Sequence, residues 1–141
     1  MVKGSNGRMR GIVAWLLGIG RGHGDCDTMV EVNDLTGLDA LFAESQDVPV
    51  LLFKHSTACP ISAAAYRRVA EYLEEEGEAA PPCYLVKVIE ARPVSNTVAE
   101  RLGVTHQSPQ ILLVDKGQCR WNASHGAIDG RAIRNELMKL E

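Results

Sequence analysis

The sequence predicts one α/β domain in which a central mixed four-stranded sheet is flanked by helices. Short apolar runs that suit buried strands alternate with longer segments whose apolar residues recur every three or four positions, the period of a helix. Near the end, two strand-like runs are separated only by the turn Asp115-Lys-Gly-Gln118, which predicts a hairpin. The chain has 141 residues, 45% of them hydrophobic, and a formal net charge of -3, which suits a single domain with an ordinary core.

The first half of this domain is predicted to run helix, strand, helix. Leu35 to Ala43 has helical apolar spacing, with Asp34 available as its N-cap. Val48 to Phe53 is apolar on both faces, as in a buried parallel strand. Pro60 to Glu76 forms the next helix, because proline is tolerated in a first helical turn and Gly77 can end the helix.

The second half continues with three strand runs and two helical runs, and the last two strand runs form the hairpin. These are the strand Cys83–Ile89, the helix Val94–Leu102 with Gly103 as its stop, the hairpin strands Pro109–Val114 and Cys119–Ala123, and the amphipathic helix Ile128–Leu140. Two strand–helix–strand crossovers favour parallel pairing, and the hairpin adds an antiparallel strand. This order of elements is that of a thioredoxin-like fold.

Residues 1–28 are predicted to be an extension outside this domain, which we place at 29–141. Their apolar segment, Gly11 to Gly20, is about half of the ~20 residues that a membrane span requires. The segment loosely resembles a signal peptide, but no small-x-small cleavage site follows it. We expect a disordered extension or a mis-assigned start, with Met29 beginning the domain. An ordered arm and an export signal are the alternatives.

Composition limits the kinds of molecule that the protein is expected to bind. The balance of charge is mildly acidic and basic residues are not interleaved with aromatic ones, so we expect no nucleic-acid partner and no membrane partner. The four cysteines are scattered without a CxxC pair, so a zinc ribbon or other metal site is not expected. Reduced thiols in a cytoplasm are the simplest interpretation of this pattern.

Cys59 is the residue on which the functional prediction depends. It follows a short polar turn and stands where the second helix should begin, so its sulfur would face unpaired backbone N–H groups. Thiolate is the nucleophilic form, and the start of a helix favours it. We therefore expect a catalytic nucleophile with a substantial thiolate fraction at neutral pH. The alternative is a buried, inert cysteine at a strand–helix junction.

The residues around Cys59 complete a one-cysteine version of a thiol–disulfide site. Ser62 stands three positions after Cys59, where a dithiol oxidoreductase has its second cysteine. Its hydroxyl could hydrogen-bond the thiolate but never form a disulfide with it, so exchange requires an external thiol. Pro60 shapes the first helical turn, and Thr57 in the preceding turn is a further thiol-stabilising or substrate-binding candidate.

Ser108-Pro109, just before a predicted strand, is the second signal. Proline cannot donate a ladder hydrogen bond, so it belongs at a strand's first position, where a cis peptide bond is also plausible. In thioredoxin-like proteins a cis-proline faces the active cysteine, and the backbone beside it pairs with the incoming thiol peptide. Ser108, Pro109 and Gln110 are therefore predicted to form a substrate-binding wall opposite Cys59.

The other cysteines and basic residues receive simpler assignments. Cys119 and Cys83 are expected to pack as small apolar strand residues, with an exposed resolving thiol as the alternative for Cys83. Lys54 and His55 could add positive potential near Cys59 or face solvent. The remaining residues carry less weight: His125 is a candidate for the site's surroundings, His106 and His23 are expected in loops, and Cys26 is assigned no role.

Four separated segments resemble the bacilliredoxins of the bacillithiol-system redox-active type, a monothiol thioredoxin-like family. In chain order they are Lys54–Ser62, Val88–Asn96, Ser108–Leu113 and Trp121–His125. The resemblance covers about residues 29–141, and its specificity comes from the agreement of all four segments in order. Residues 1–28 have no counterpart in the family.

The resemblance implies a cytoplasmic thiol–disulfide oxidoreductase that acts in redox homeostasis under oxidative stress. Cys59 would take bacillithiol from S-bacillithiolated client proteins, and a second bacillithiol or a disulfide reductase would regenerate it. Bacillithiol is then a co-substrate, and no cofactor is held tightly. Residue types alone do not distinguish bacillithiol from glutathione, so the identity of the thiol rests on the resemblance.

Two other functions remain open at the level of sequence. The first is a glutaredoxin-like monothiol protein that uses glutathione or shares an iron–sulfur cluster between two chains. The second is a non-catalytic thioredoxin-like binding module in which Cys59 is structural.

Overall fold

One mixed sheet of five strands lies at the centre of residues 29–140, the part of the chain that this computed structural model describes. The spatial order of the strands is β1-β3-β2-β4-β5. In chain order they are β1 (Met29–Glu31), β2 (Val50–His55), β3 (Cys83–Lys87), β4 (Gln110–Asp115) and β5 (Gln118–Ser124). The predicted thioredoxin-like α/β fold is confirmed.

Four α-helices cover the sheet within the same residues: α1 (Leu35–Glu44), α2 (Pro60–Glu76), α3 (Arg92–Leu102) and α4 (Gly130–Lys139). Their ends follow the predicted signals. The side chain of Asp34 caps α1 by accepting a hydrogen bond from the Gly37 N–H at 2.8 Å. Gly103 ends α3 in the left-handed conformation, with φ of 65°, where a side chain would be strained.

Side chains of β2 alternate between two apolar layers, one on each face of the sheet. Leu51 and Phe53 pack towards α2 and α4, and Val50 and Leu52 pack towards α1 and α3. All four are fully buried, and each contributes about 1.5–3 kcal/mol by leaving water. Because β2 is central and covered on both faces, it fixes the position of the turn of residues 56–58 that leads to Cys59. We call this turn the active turn.

The sheet differs from the prediction in strand number and in one strand direction. Four strands were predicted, but β1 adds a fifth by pairing in parallel with β3. Its three residues are too few to display a period in sequence. In addition, β4 runs antiparallel to β2, although the crossover from β3 favoured a parallel strand.

The direction of β4 follows from the loop that precedes it, residues 103–109. His106 in this loop lies 3.4 Å from the hydroxyl of Ser95, near the start of α3. The loop therefore doubles back along the helix to the sheet edge at which β3 ended. Since β4 enters from that edge, it must run opposite to β2 and β3.

The prediction for residues 1–28 lies outside the described residues. Within residues 29–140, none of the helices combines the length and apolar character needed to cross a membrane.

Candidate active site

Cys59 is the N-cap residue of α2, immediately after the turn that leaves β2. Its backbone is extended, with φ of -120° and ψ of 123°, and its side chain makes no capping hydrogen bond. The Cys59 N–H donates to the Ser56 carbonyl at 3.3 Å, and the Cys59 carbonyl accepts from the Ala63 N–H at 3.0 Å. The half-buried thiol is thus held at the beginning of a long helix, an end that attracts anions.

Ser62, at the position of a resolving cysteine, is fully buried and closes the active turn. Its hydroxyl accepts a hydrogen bond from the Ser56 N–H at 2.9 Å and lies 2.7 Å from Nδ1 of His55. These two contacts occupy the Ser62 hydroxyl, which was predicted to be able to hydrogen-bond the Cys59 thiolate. The structure therefore gives Ser62 a role in shaping the turn, since it ties the turn to the end of β2.

His55 forms the aromatic support beneath this turn. Its ring stacks on Phe53 with centroids 5.7 Å apart and lies 5.1 Å from the ring of Tyr66. Burial lowers the pKa of His55, the charge of Lys87 lowers it further, and Glu90 opposes both. His55 is therefore neutral at neutral pH, and its Nδ1 forms one hydrogen bond with the Ser62 hydroxyl.

Thr57 connects the active turn to the loop after β3. Its hydroxyl donates to Oε2 of Glu90 at 3.0 Å, and the Val88 N–H donates to the His55 carbonyl at 3.0 Å. The pKa of Glu90 is lowered by a hydrogen bond from its own backbone N–H and by the one from Thr57. Thr57 and Glu90 are both exposed, so this contact places a carboxylate at the rim of the site.

Pro109 and its neighbours form the wall beside the active turn. The Ser108–Pro109 peptide bond is cis. Because Lys54 of β2 pairs with Gln110 of β4 in antiparallel register, Pro109 comes opposite the end of β2, where the active turn begins. The Pro109 carbonyl accepts from the His125 N–H at 3.2 Å, so His125 does border the site.

The side chain of Gln110 holds the loop that leads to the cis-proline. Gln110 is buried, donates to the Thr105 carbonyl at 3.2 Å and accepts from the Gln107 N–H at 3.3 Å. Ser108 has a buried hydroxyl that makes no hydrogen bond to the described residues. Gln110 thus positions the loop, whereas Ser108 keeps its hydrogen-bonding capacity.

Lys54 is completely buried, so the predicted alternative that it faces solvent is wrong. Its amine lies 3.1 Å from Nδ1 of His106 in the loop before the cis-proline. Burial lowers the pKa of Lys54 to about 8. The sequence signal was the apolar character of both faces of this strand, which predicts a strand covered on both sides. Within it only His55, at the end, is half-buried.

The two other described cysteines are poorly suited to nucleophilic attack. Cys83 is buried at the start of β3, and burial raises its pKa to about 12. Cys119 is half-buried on β5, with Sγ 3.3 Å from the Trp121 carbonyl, and burial raises its pKa as well. Both pack as strand residues, as predicted.

Pro60 and Ile61 follow Cys59 on the exposed side of the helix start. Pro60 occupies the first turn, as predicted. Ile61 is 56% exposed, a large apolar side chain beside the thiol that sequence reasoning did not single out. Among residues 29–140, no group of three or more His, Cys, Asp or Glu side chains could hold a metal ion.

Sequence reasoning found the cysteine and the proline wall but missed Glu90 and the pairing of Lys54 with His106. Glu90 could have been suspected from its place just after a strand that ends at the same sheet edge. The pairing joins residues 52 positions apart, and nothing local in the sequence indicates it.

Comparison with known proteins agrees with this geometry. The family model described as monothiol bacilliredoxin BrxC matches residues 30–133. A solved structure described as an oxidoreductase with a thioredoxin fold is 28% identical, with a TM-score of 0.70, and the match covers 77% of this chain and 93% of that one.

More distant structures share the fold. Thioredoxin from Trypanosoma brucei brucei is 12% identical with a TM-score of 0.66, and the match covers 85% of this chain and 96% of that one. Fasciola hepatica thioredoxin is 14% identical with a TM-score of 0.63, with 80% and 100% covered. Family and fold together support a role in thiol redox chemistry.

Proposed function

Because this chain belongs to the monothiol bacilliredoxin family, we propose that it removes bacillithiol from S-bacillithiolated proteins through nucleophilic attack by Cys59. The observation that carries the proposal is that Cys59 is followed, at the position of a resolving cysteine, by Ser62. Cys59 is partly accessible at a helix start, and a buried hydroxyl replaces the internal resolving thiol. Such a site can accept a small thiol but must pass it to an external one.

The first step exchanges one disulfide for another. The Cys59 thiolate attacks the bacillithiol sulfur of the mixed disulfide, and the bond from that sulfur to the client cysteine breaks. The client leaves as a thiolate and takes a proton from water, while Cys59 becomes bacillithiolated. No net electron is gained or lost by the two proteins and bacillithiol together in this step.

The second step regenerates the protein. The thiolate of a second bacillithiol attacks the bacillithiol sulfur bound to Cys59, which releases bacillithiol disulfide and the Cys59 thiolate. A disulfide reductase then returns bacillithiol disulfide to the thiol. This cycle suits a cytoplasm with a reduced thiol pool and would act during recovery from oxidative stress.

The test compares serine variants of the three described cysteines on one bacillithiolated test protein. Cys59→Ser is expected to abolish release of bacillithiol, since serine is not ionised at neutral pH. Cys83→Ser and Cys119→Ser are expected to keep most of the activity, because both thiols are held protonated by burial. Release is followed by the mass of the intact test protein. Full activity of Cys59→Ser would overturn the proposal.

A further inference from the structure

The hydroxyl oxygen of Ser62 forms two hydrogen bonds, and the direction of one of them is open. The Ser56 N–H can only donate, so at 2.9 Å it occupies one lone pair of this oxygen. Nδ1 of His55 lies 2.7 Å from the same oxygen and either donates or accepts, depending on which ring nitrogen carries the proton. The direction of this second bond decides where the Ser62 proton points.

Burial of Ser62 selects the direction. The residue is 0% exposed, so its proton has no access to water, and a buried hydroxyl is almost always paired. Among the described residues, the one acceptor within hydrogen-bond distance of this hydroxyl is Nδ1 of His55. The Ser62 hydroxyl therefore donates to Nδ1, and the imidazole proton resides on Nε2. Burial lowers the pKa of His55, in keeping with a neutral ring.

The ring of His55 is held by packing, on the face of the sheet that α2 covers. It stacks on Phe53 with centroids 5.7 Å apart and lies 5.1 Å from the ring of Tyr66, which belongs to α2. Cys59 is the N-cap of the same helix. Two aromatic neighbours therefore present the acceptor to Ser62, and its position does not depend on the hydroxyl that it binds.

Ser62 stands where its hydroxyl would otherwise be available to Cys59. It is the third residue of α2, and at this position a side chain commonly reaches back to the N-cap residue. A hydroxyl that donates to a thiolate stabilises the anion, and a thiolate that is more stable is a weaker nucleophile. The orientation of the Ser62 hydroxyl therefore bears on the reactivity of Cys59.

We infer that His55 is a positioning residue that withholds the Ser62 hydroxyl from the Cys59 sulfur by accepting its proton. The thiolate is then left to the backbone N–H groups of the helix start and is more nucleophilic than it would be with a hydroxyl donor. The inference rests on the proposed function, in which Cys59 attacks the mixed disulfide, and it adds the residue that keeps this nucleophile reactive.

The tautomer of His55 is measured directly in the wild-type protein and needs no variant. Nitrogen-15 NMR of the histidine rings at pH 8, with the His55 ring linked to its backbone signals, distinguishes a protonated from an unprotonated nitrogen. We expect Nε2 to be protonated and Nδ1 to be unprotonated. A proton on Nδ1, in all of the molecules or in half of them, would overturn the inference, because the ring would then not hold the Ser62 proton.

The effect on Cys59 is measured by its rate of alkylation with iodoacetamide between pH 5 and pH 10, followed by the mass of the Cys59 peptide. His55→Phe keeps an aromatic ring and replaces a neutral one, but it frees the Ser62 hydroxyl to turn to the sulfur. The midpoint of the pH profile is expected to fall by about one pH unit, the effect of one hydrogen bond to a charged group. The rate at pH 10 is expected to fall about threefold, because the stabilised thiolate is less nucleophilic.

Two further variants separate this effect from a general change at the site. In the Ser62→Ala background, His55→Phe is expected to shift neither the midpoint nor the rate at pH 10, because no hydroxyl is released. His55→Asn supplies an amide oxygen near the position of Nδ1 and is expected to restore most of the wild-type profile. An unchanged profile in His55→Phe, or equal shifts with and without the Ser62 hydroxyl, would overturn the inference.

The alkylation assay does not use bacillithiol, so it separates the two proposals. A wild type that fails to release bacillithiol from a client would refute the proposed function, whereas the profiles of the His55 variants would still report whether His55 controls the Ser62 hydroxyl. A wild type that releases bacillithiol, together with a His55→Phe profile like that of the wild type, would refute only the role of His55.

Discussion

At the scale of single residues, the site depends on three side chains that do not react. Ser62 closes the turn under Cys59, His55 supports Ser62, and Lys54 orients His106 beside the cis-proline. All three come from β2 or the first turn of α2, within nine positions of one another. In the proposed function Cys59 supplies the chemistry, and these neighbours hold the turn before it and the cis-proline loop.

Lys54 should make stability depend on pH. Its pKa in the folded protein is about 8, below the value of about 10.4 in an unfolded chain, so the unfolded state binds more protons between these values. The penalty is fully present below pH 8 and disappears as pH rises towards 10.5. Lys54→Met is therefore expected to stabilise the protein at pH 7 by up to about 3 kcal/mol.

Urea unfolding of wild type and Lys54→Met at pH 7 and pH 10 measures this effect. The gap in unfolding free energy is expected to shrink at the higher pH, and the difference between the two proteins cancels the titration of other groups. A gap that stays constant, or a variant less stable at pH 7, would contradict the burial of a charged amine.

At the scale of elements, the ends of helices and strands position the site. The end of β2, the end of β3 and the beginning of β4 meet at one edge of the sheet, and α2 begins there. The loop of residues 103–109 returns to this edge because α3 ends at Gly103, whose φ of 65° turns the chain sharply. The helix stop thus helps to place the cis-proline wall.

Replacing this glycine tests the argument. Gly103→Ala is expected to destabilise the protein by about 1–2 kcal/mol, since an L residue is strained in the left-handed region. A Cβ there would meet no atom within 4 Å, so only the backbone penalty applies. Gly126→Ala is the matched control, with the same open space and no positive φ, and is expected to change stability by less than about 0.5 kcal/mol. Equal unfolding free energies for the two variants in urea would show that the turn is not strained.

Much of this element structure could be predicted from sequence because its signals are local. The apolar period, Pro60, Gly77 and Gly103 are each within a few residues of the boundary that they set, and α2 has the predicted bounds Pro60–Glu76. The strand β1 was missed because three residues carry no period. The direction of β4 was missed because it depends on a contact between the loop and the start of α3.

In the candidate site, too, the residues with local sequence signals could be predicted and those that depend on distant contacts could not. Cys59 and the cis-proline wall were predictable because a helix start and an X-Pro bond are visible in a few letters. Lys54 was harder, since burial follows from α1 and α3 covering the strand and its partner lies 52 positions away. The role of Ser62 changed for a similar reason: its partners, His55 and the Ser56 N–H, come from the strand end and the turn that precede the helix.

At the scale of the whole molecule, the fold separates the three described cysteines by reactivity. Only Cys59 stands at a helix start, and Cys83 and Cys119 are packed into strands where burial keeps them protonated. Under the proposed function, the chain carries one small thiol at a time and depends on the cellular thiol pool for its return. That dependence is the central claim of the proposed function.

The direct measurement is to mix the reduced protein with a bacillithiolated test protein, quench with acid at intervals, and map the adducts by tandem mass spectrometry. We predict that bacillithiol appears on the peptide containing Cys59 as it disappears from the test protein, and that added bacillithiol then removes it. Loss of bacillithiol from the test protein with Cys59 unmodified throughout, or with the adduct on Cys83 or Cys119, would contradict the account.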